Sequence, residues 1–191
     1  GKNKILVKEI IEVLEILIDK VDFKEIDIEL PYKQPLKVHA RYTRDQILAA
    51  FRKSNFDKIY TSMEGVVENI ELNTELLFIN LIKSEENFSP TTMYDDYAIS
   101  ETLFHWQSQN SSRPDKGKGL SYINHQENDK KILLFVREKA NDENGKTLGY
   151  VFIGEANFRE TEGSKPMSIK WELNEPMPNY LWKESAKMSV G

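Results

Sequence analysis

From residue 64 onward the apolar residues recur at every second position or in short unbroken runs, and this period commits most of the chain to a β-sheet. Residues 64–70 form one strand candidate. Residues 76–82 are apolar at nearly every position, which predicts a strand covered on both faces and therefore central. Residues 131–137 have the same character. Residues 150–155 are a further strand candidate, with a bulge or bend expected at Gly154. Met167, Ile169, Trp171 and Leu173 alternate with Ser168, Lys170 and Glu172, the pattern of a half-buried strand. Gly117, Gly119 and Gly163 mark turns, and Asn144-Gly145 is a strong hairpin signal.

The upstream part has a different period. Ile5, Leu6, Ile10, Ile11, Val13, Leu14, Leu17, Ile18 and Val21 fall on a broad helical stripe, with Lys8, Glu9, Glu12, Glu15 and Asp19 mostly opposite. That stripe must be buried, either within the chain, as such stripes usually are, or on a further part of a longer protein. An acidic connector closed by Pro31 and Pro35 follows. Leu36, Val38 and Ala40 alternate with Lys37, His39 and Arg41, predicting a strand. Thr43 and Gln46 then offer a capping box for a helix over about residues 43–52. The sum is an α+β fold: a mostly antiparallel curled sheet or partly open β-barrel with two or three helices. It divides into a helical arm at 1–32, a domain at 33–180 and a C-terminal tail at 181–191.

With 39% apolar and 30% charged residues in 191, the chain suits a folded, soluble domain rather than a disordered one. It has no cysteine, which excludes disulfides, thiol nucleophiles and cysteine-held zinc, and fits a reducing cytoplasm. No apolar run approaches the ~20 residues that cross a membrane. The sequence starts at Gly1 and shows no signal peptide, so a piece of a longer protein is expected. The net charge of −5 excludes coating of nucleic acid by a bulk positive field, although residues 1–32 carry −3 of it and residues 33–191 only −2. Any anion site is therefore a local patch.

One segment looks chosen for recognition. Residues 104–110, Phe-His-Trp-Gln-Ser-Gln-Asn, combine flat faces for stacking with carboxamides that pair donor and acceptor, the chemistry that reads a nucleobase. In this reading Trp106, Tyr94, Tyr97 and Tyr122 stack on bases, while Gln107, Gln109 and Asn110 read edges. Arg113, Lys116 and Lys118, in a Ser/Gly/Pro setting, form with Arg41 the phosphate contacts. The cluster Tyr94-Asp95-Asp96-Tyr97 has two readings: a pocket wall whose carboxylates accept from exocyclic amines, or a loop anchored by tyrosines and capped by aspartates.

Several blocks also recur together in a known family. They are Lys37-Val38-His39-Ala40-Arg41-Tyr42-Thr43, Phe88-Ser89-Pro90-Thr91-Thr92, Tyr94 to Ser100, Phe104 to Gln109, Tyr122-Ile123-Asn124-His125, Leu133-Leu134-Phe135-Val136-Arg137, and Phe152 to Ala156 through Lys165 to Ile169. On these the chain resembles, over about residues 35–180, the C-terminal domain of unknown function of bacterial superfamily-two (DEAD/DEAH-type) helicases, often fused to a phospholipase-D-type nuclease. The resemblance implies DNA as partner, helicase and nuclease domains upstream in the same protein, and a role in restriction or phage defence. No ATP-binding glycine loop is present, so the motor would lie outside this chain.

Catalysis by the chain itself finds little support. Asp115 followed by Asp129-Lys130-Lys131 matches the spelling of a metal nuclease, but in a loop and a turn rather than on strands. His39, His105 and His125 lack the spacing of a helix-borne metal pair, and His39 is better explained as a structural histidine. No serine sits in a nucleophile elbow. The expectation is a non-catalytic DNA-recognition module without cofactor or metal, reading duplex DNA and suited to a flipped or modified base. A domain that docks helicase to nuclease or assembles an oligomer is the alternative.

Overall fold

Strand β3 (Thr74–Asn80) turns Leu77 and Ile79 into one core and Leu76 and Phe78 into another, which is why its sequence has no polar face. Strand β6 (Lys131–Arg137) does the same, with Ile132, Leu134 and Val136 on one side and Leu133 and Phe135 on the other. The computed structural model describes residues 2–19, 24–81 and 96–188. Expectations that concern Val21, Ile82, residues 88–92, Tyr94 and Asp95 lie outside the described residues.

β3 and β6 pair in parallel, from Thr74 opposite Lys131 to Asn80 opposite Arg137. The other pairings between strands are antiparallel. Across the sheet the order is β2 (Val66–Asn69), β3, β6, β7 (Tyr150–Glu162), β8 (Ser168–Leu173), β5 (Leu103–Gln107) and β4 (Tyr97–Ala98). The short β1 (Arg41–Tyr42) pairs with the start of β7. The fold is thus α+β, with eight strands in one open sheet among the described residues. It curls without closing into a barrel.

β7 produces the curl. Its first half pairs with β6 and its second half with β8, and the register breaks once in each half. The first break lies at Gly154, whose φ of 100° suits a glycine and confirms the expected bulge. The hairpin at Asn144-Gly145 also forms, with Gly145 at φ 78°. The β8–β5–β4 half turns over one face of β3 and β6, so Trp171, Phe104 and Trp106 share a core with Leu134 and Ile132.

The opposite face is covered by α2 (Arg44–Ala50), which buries Ile47 and Leu48, and by its C-cap Phe51. The capping box forms as expected. The Thr43 amide donates to Gln46 Oε1 at 2.8 Å, and the Gln46 amide donates to Thr43 Oγ1 at 3.2 Å. The strand expected at 36–40 is corrected to a single bridge, Ile26 to Val38. The ladder stops because His39 takes φ 74°, each ring nitrogen within hydrogen-bond distance of a backbone carbonyl, Lys24 at 2.9 Å and Pro176 at 3.0 Å.

Two further segments are helical. α3 (Gly117–Ile123) replaces the expected loop, and Gly119 sits so close to the Arg113 carbonyl and the Met167 sulfur that no Cβ fits there. α4 (Asn179–Met188) carries the fully buried Leu181 into the first core, so the packed domain runs past residue 180. α1 (Lys2–Asp19) is the expected N-terminal helix, but its stripe is not packed inside the described residues: exposure runs from 49% at Ile10 to 64% at Ile5. No helix of the described residues is long and apolar enough to cross a membrane.

Glu68 on β2 and Glu75 on β3 lie directly opposite one another, an arrangement of like charges that is unfavourable alone. Two lysines resolve it. Lys118 Nζ donates to Glu68 Oε2 at 2.6 Å and Glu75 Oε1 at 2.7 Å, while Lys130 Nζ donates to Glu68 Oε1 at 2.6 Å and Glu75 Oε2 at 3.0 Å. The ring of alternating charges ties α3 and the residue before β6 to the β2–β3 hairpin. The Lys118 and Lys130 hydrogen bonds push the Glu68 carboxyl down from 4.5 to about 2. A depressed carboxyl contributes stability that is complete above its ordinary value and lost as pH falls through the folded-state value. Glu68→Gln should therefore lower stability at neutral pH, and its difference from wild type should shrink as pH falls from 4.5 to about 2 in pH-dependent denaturant melts.

Candidate nucleic-acid interface

A cleft of about 1030 Å³ opens beside the end of β5, where the chain leaves the core with Gln107, Ser108 and Gln109. One wall is rich in amides. The Gln107 backbone amide donates to Asp96 Oδ1 at 2.9 Å, which holds that largely buried carboxylate against the strand. Gln109 Oε1 accepts from Tyr122 Oη at 3.0 Å and from Ser112 Oγ at 3.2 Å. The Gln109 NH2 group and the Gln107 carboxamide are left without protein partners among the described residues.

The second wall carries two arginines stacked on two aromatic rings. The Arg44 guanidinium lies 4.1 Å from the Phe78 ring centroid, and that of Arg137 lies 4.3 Å from the Tyr150 centroid. Phe78 and Tyr150 meet edge to face at 5.2 Å. Arg44 Nη2 donates to the carbonyls of Ser62 at 3.1 Å and Glu64 at 2.8 Å, while its Nε is buried without a partner. Arg137 donates to Asn80 Oδ1 at 2.5 Å and to the carbonyls of Leu148 at 3.0 Å and Ala140 at 3.4 Å. Burial first, and then the field of Arg44, lower the Arg137 pKa from its ordinary value, with the phenol of Tyr150 acting in the opposite sense.

Of the residues singled out in the sequence, Trp106, Gln107, Gln109 and Lys118 meet at this cleft. Asn110 is exposed in the turn beyond it. The roles of several others need correction. Tyr122 is fully buried and holds Gln109 in place, so its ring offers no face to a base. Burial pushes its phenol far above the ordinary value, the Glu75 carboxylate adding to the effect. Trp106 is only 5% exposed, its ring 5.4 Å from Tyr122 in an edge contact and 6.3 Å from Trp171, so it is a core side chain that lines the cleft floor. Tyr97 is stacked on His105 at 4.7 Å and an 18° interplanar angle.

The expected phosphate contacts are mostly neutralised. Arg41 forms a fork with Glu138 at 2.9 and 2.6 Å, away from the cleft. Arg113 forms another with Asp115, both bonds at 2.6 Å, and Lys118 belongs to the buried glutamate ring. Lys116 is exposed at the N-cap of α3. The cleft arginines, Arg44 and Arg137, were not singled out. The available signal was an arginine closing an apolar strand, in Phe135-Val136-Arg137.

The nuclease spelling does not assemble. Asp115 is occupied by Arg113, Asp129 turns at φ 51°, and Lys131 donates to Glu155 Oε1 at 2.8 Å. The histidines are held separately. His125 Nε2 accepts from the Phe158 amide at 2.9 Å, so its Nδ1 carries the proton donated to the Lys130 carbonyl at 2.9 Å. Burial lowers its pKa, keeping it neutral. Among the described residues no three His, Asp or Glu side chains are grouped to hold a metal.

Comparison with known proteins adds the family. A family model described as a domain of unknown function, DUF3427, matches residues 36–185, and the chain belongs to that family. No curated protein matches. A solved structure described as the SUVH5 SRA–methylated CHH DNA complex is similar at 12% identity and a TM-score of 0.43, over 78% of this chain and 95% of that one.

Because Trp106 and Trp171 pack into the same core, truncating either should destabilise the fold by about 3–5 kcal/mol. Denaturant melts of Trp106→Ala and Trp171→Ala measure this. A near-native Trp106→Ala would mean that the indole is not a packing element.

Proposed function

We propose that this DUF3427 domain is a non-catalytic DNA-recognition module whose cleft receives a nucleobase extruded from a duplex. The observation that carries the reading is the unpartnered Gln107 carboxamide and Gln109 NH2 group beside the Asp96 carboxylate, in a cleft of about 1030 Å³. Carboxamides present donor and acceptor in one plane, as a base edge does, and a carboxylate accepts from an exocyclic amine. The space matches the upper end of ligand pockets, roughly 300–1,000 Å³, and leaves room for a base that carries a modification. Extrusion is the general solution when a protein must reach the whole edge and face of a base.

In this reading the parent is a bacterial, cytoplasmic restriction or phage-defence protein, in which a helicase motor and a phospholipase-D-type nuclease are positioned on DNA by this domain. The resemblance of its motif blocks to the C-terminal domains of superfamily-two helicases supports that context. The helical arm at 1–32 would then belong with the upstream part, and the domain proper would begin near residue 33. No catalytic residue, cofactor or metal is assigned to the chain.

One observation favours a second reading. The exposed apolar stripe of α1 suits docking to another protein surface, including the helicase or nuclease part or another copy. The two readings are compatible if α1 docks and the cleft binds DNA.

Fluorescence anisotropy with unmodified and cytosine- or adenine-modified duplexes tests the proposal. Weak binding is expected, falling with salt at a log–log slope of about −3 if some three phosphates are neutralised. Gln107→Ala should reduce discrimination among bases by about 1–3 kcal/mol while the fold is kept. Absence of binding to every duplex at low salt would leave the docking reading standing.

A further inference from the structure

We propose that Arg44 and Arg137 form an anion clamp at one end of the cleft, built to hold a phosphodiester of the strand whose base the cleft receives. This rests on the DNA reading for the identity of the anion, but the clamp itself follows from the pairing of charges. The cations on the cleft wall are Arg44, Arg137 and Lys118. Lys118 is neutralised by Glu68 and Glu75. Arg44 and Arg137 have no carboxylate partner among the described residues, only backbone carbonyls, the Asn80 amide oxygen, the Tyr150 hydroxyl and aromatic faces.

The carboxylates that line the cleft bond to other groups. Glu68 is held by two lysines, Asp96 accepts from the Gln107 amide, and Glu64 accepts from the Tyr60 hydroxyl at 3.5 Å. Two guanidiniums are thus held beside one another, partly desolvated, with their positions fixed by rings and carbonyls. Uncompensated charge of this kind is unfavourable until an anion enters. Guanidinium N–H groups remain for that anion: among the described residues Arg44 Nε has no protein acceptor, and neither has Arg137 Nη2. A planar fork of N–H donors matches the oxygens of a phosphate better than an ammonium does.

The sequence alone points to a different set of phosphate cations. Arg41 and Arg113 each sit in a two-bond fork with a carboxylate, so binding a phosphate there requires breaking an existing pair. Arg44 and Arg137 require none.

The test compares wild type with Arg44→Gln, Arg137→Gln and, as a charge-retaining control for folding, Arg137→Lys. A further control, Arg113→Gln, lies outside the cleft lining. Thermal melts are recorded with and without inorganic phosphate, and anisotropy with duplex DNA is recorded across a salt series. The expected result is that phosphate raises the wild-type melting temperature but not that of either glutamine variant. Each glutamine variant should bind DNA roughly ten-fold or more weakly, with a salt slope smaller in magnitude by about 1, whereas Arg113→Gln behaves as wild type. Arg137→Lys should fold and keep the salt slope while losing affinity. If glutamine variants that melt normally bind DNA and respond to phosphate as wild type does, the clamp is overturned while the DNA reading stands. If no protein binds DNA but phosphate still stabilises wild type in an Arg44-dependent manner, the clamp stands for a free phosphate ligand and the DNA reading fails. If Arg137→Gln does not fold, Arg44→Gln alone decides, and unchanged phosphate and DNA responses in it overturn the clamp.

Discussion

The pairing of β7 with two partners in succession is the constraint on which the other features depend. Over Val151–Glu155 the strand belongs to the β6 side, and over Ala156–Glu162 it belongs to β8. A straight strand could not serve both cores. The irregularity at Gly154 and the second one near Phe158 add twist, and the sheet folds its β8–β5–β4 half back over β3 and β6. The first core then forms between two parts of the same sheet, and the second forms on the outer face of β3 and β6 under α2. The cleft lies where the folded-over half and the ends of β3 and β6 come near one another without meeting. Its position follows from the curl rather than from a loop.

The electrostatics share one theme. Most of the charges that the sequence makes conspicuous are satisfied internally: Glu68 and Glu75 by two lysines, Arg41 by Glu138, Arg113 by Asp115. The β2–β3 glutamates are a structural problem solved by Lys118 and Lys130, and burial of Lys130 is offset by those same carboxylates, which raise its pKa overall. Against this background the two arginines over Phe78 and Tyr150 stand apart, because the side chains they pack on are neutral and the charge beside each is the other arginine. An acidic chain of net charge −5 can still present a focused positive end in a narrow space.

Much of the fold was legible because its strands obey simple periodicities. The double-sided β3 and β6 announced themselves by lacking a polar face, Trp171 by alternation, α2 by its capping box, and the bend by Gly154. The strand at 36–40 was misread because alternation over five residues does not reveal the left-handed turn at His39. α3 was missed because Gly117, Gly119 and nearby serines look like a loop, whereas Gly119 is there to let the helix approach Arg113 and Met167. Within segment 104–109 the sequence did not show which side chains are buried and which line the cleft. Trp106 and Phe104 point into the core by strand alternation, leaving Gln107 and Gln109 at the cleft. The polar neighbours of Trp106 concealed its burial. Ion pairs between residues as distant as Arg41 and Glu138, or Lys118 and Glu75, cannot be seen in sequence, so most of the cations chosen there are ones already paired.

The central claim is that the cleft beside β5, and not another surface, contacts DNA. Backbone and side-chain NMR spectra of the labelled protein, titrated with duplex DNA, test it most directly. The account predicts shifts concentrated at the Gln107 and Gln109 side-chain amides, the Trp106 indole and the Arg44 and Arg137 guanidiniums. Shifts confined to α1 or to the exposed Arg113–Asp115 turn, with the cleft resonances unchanged, would contradict it.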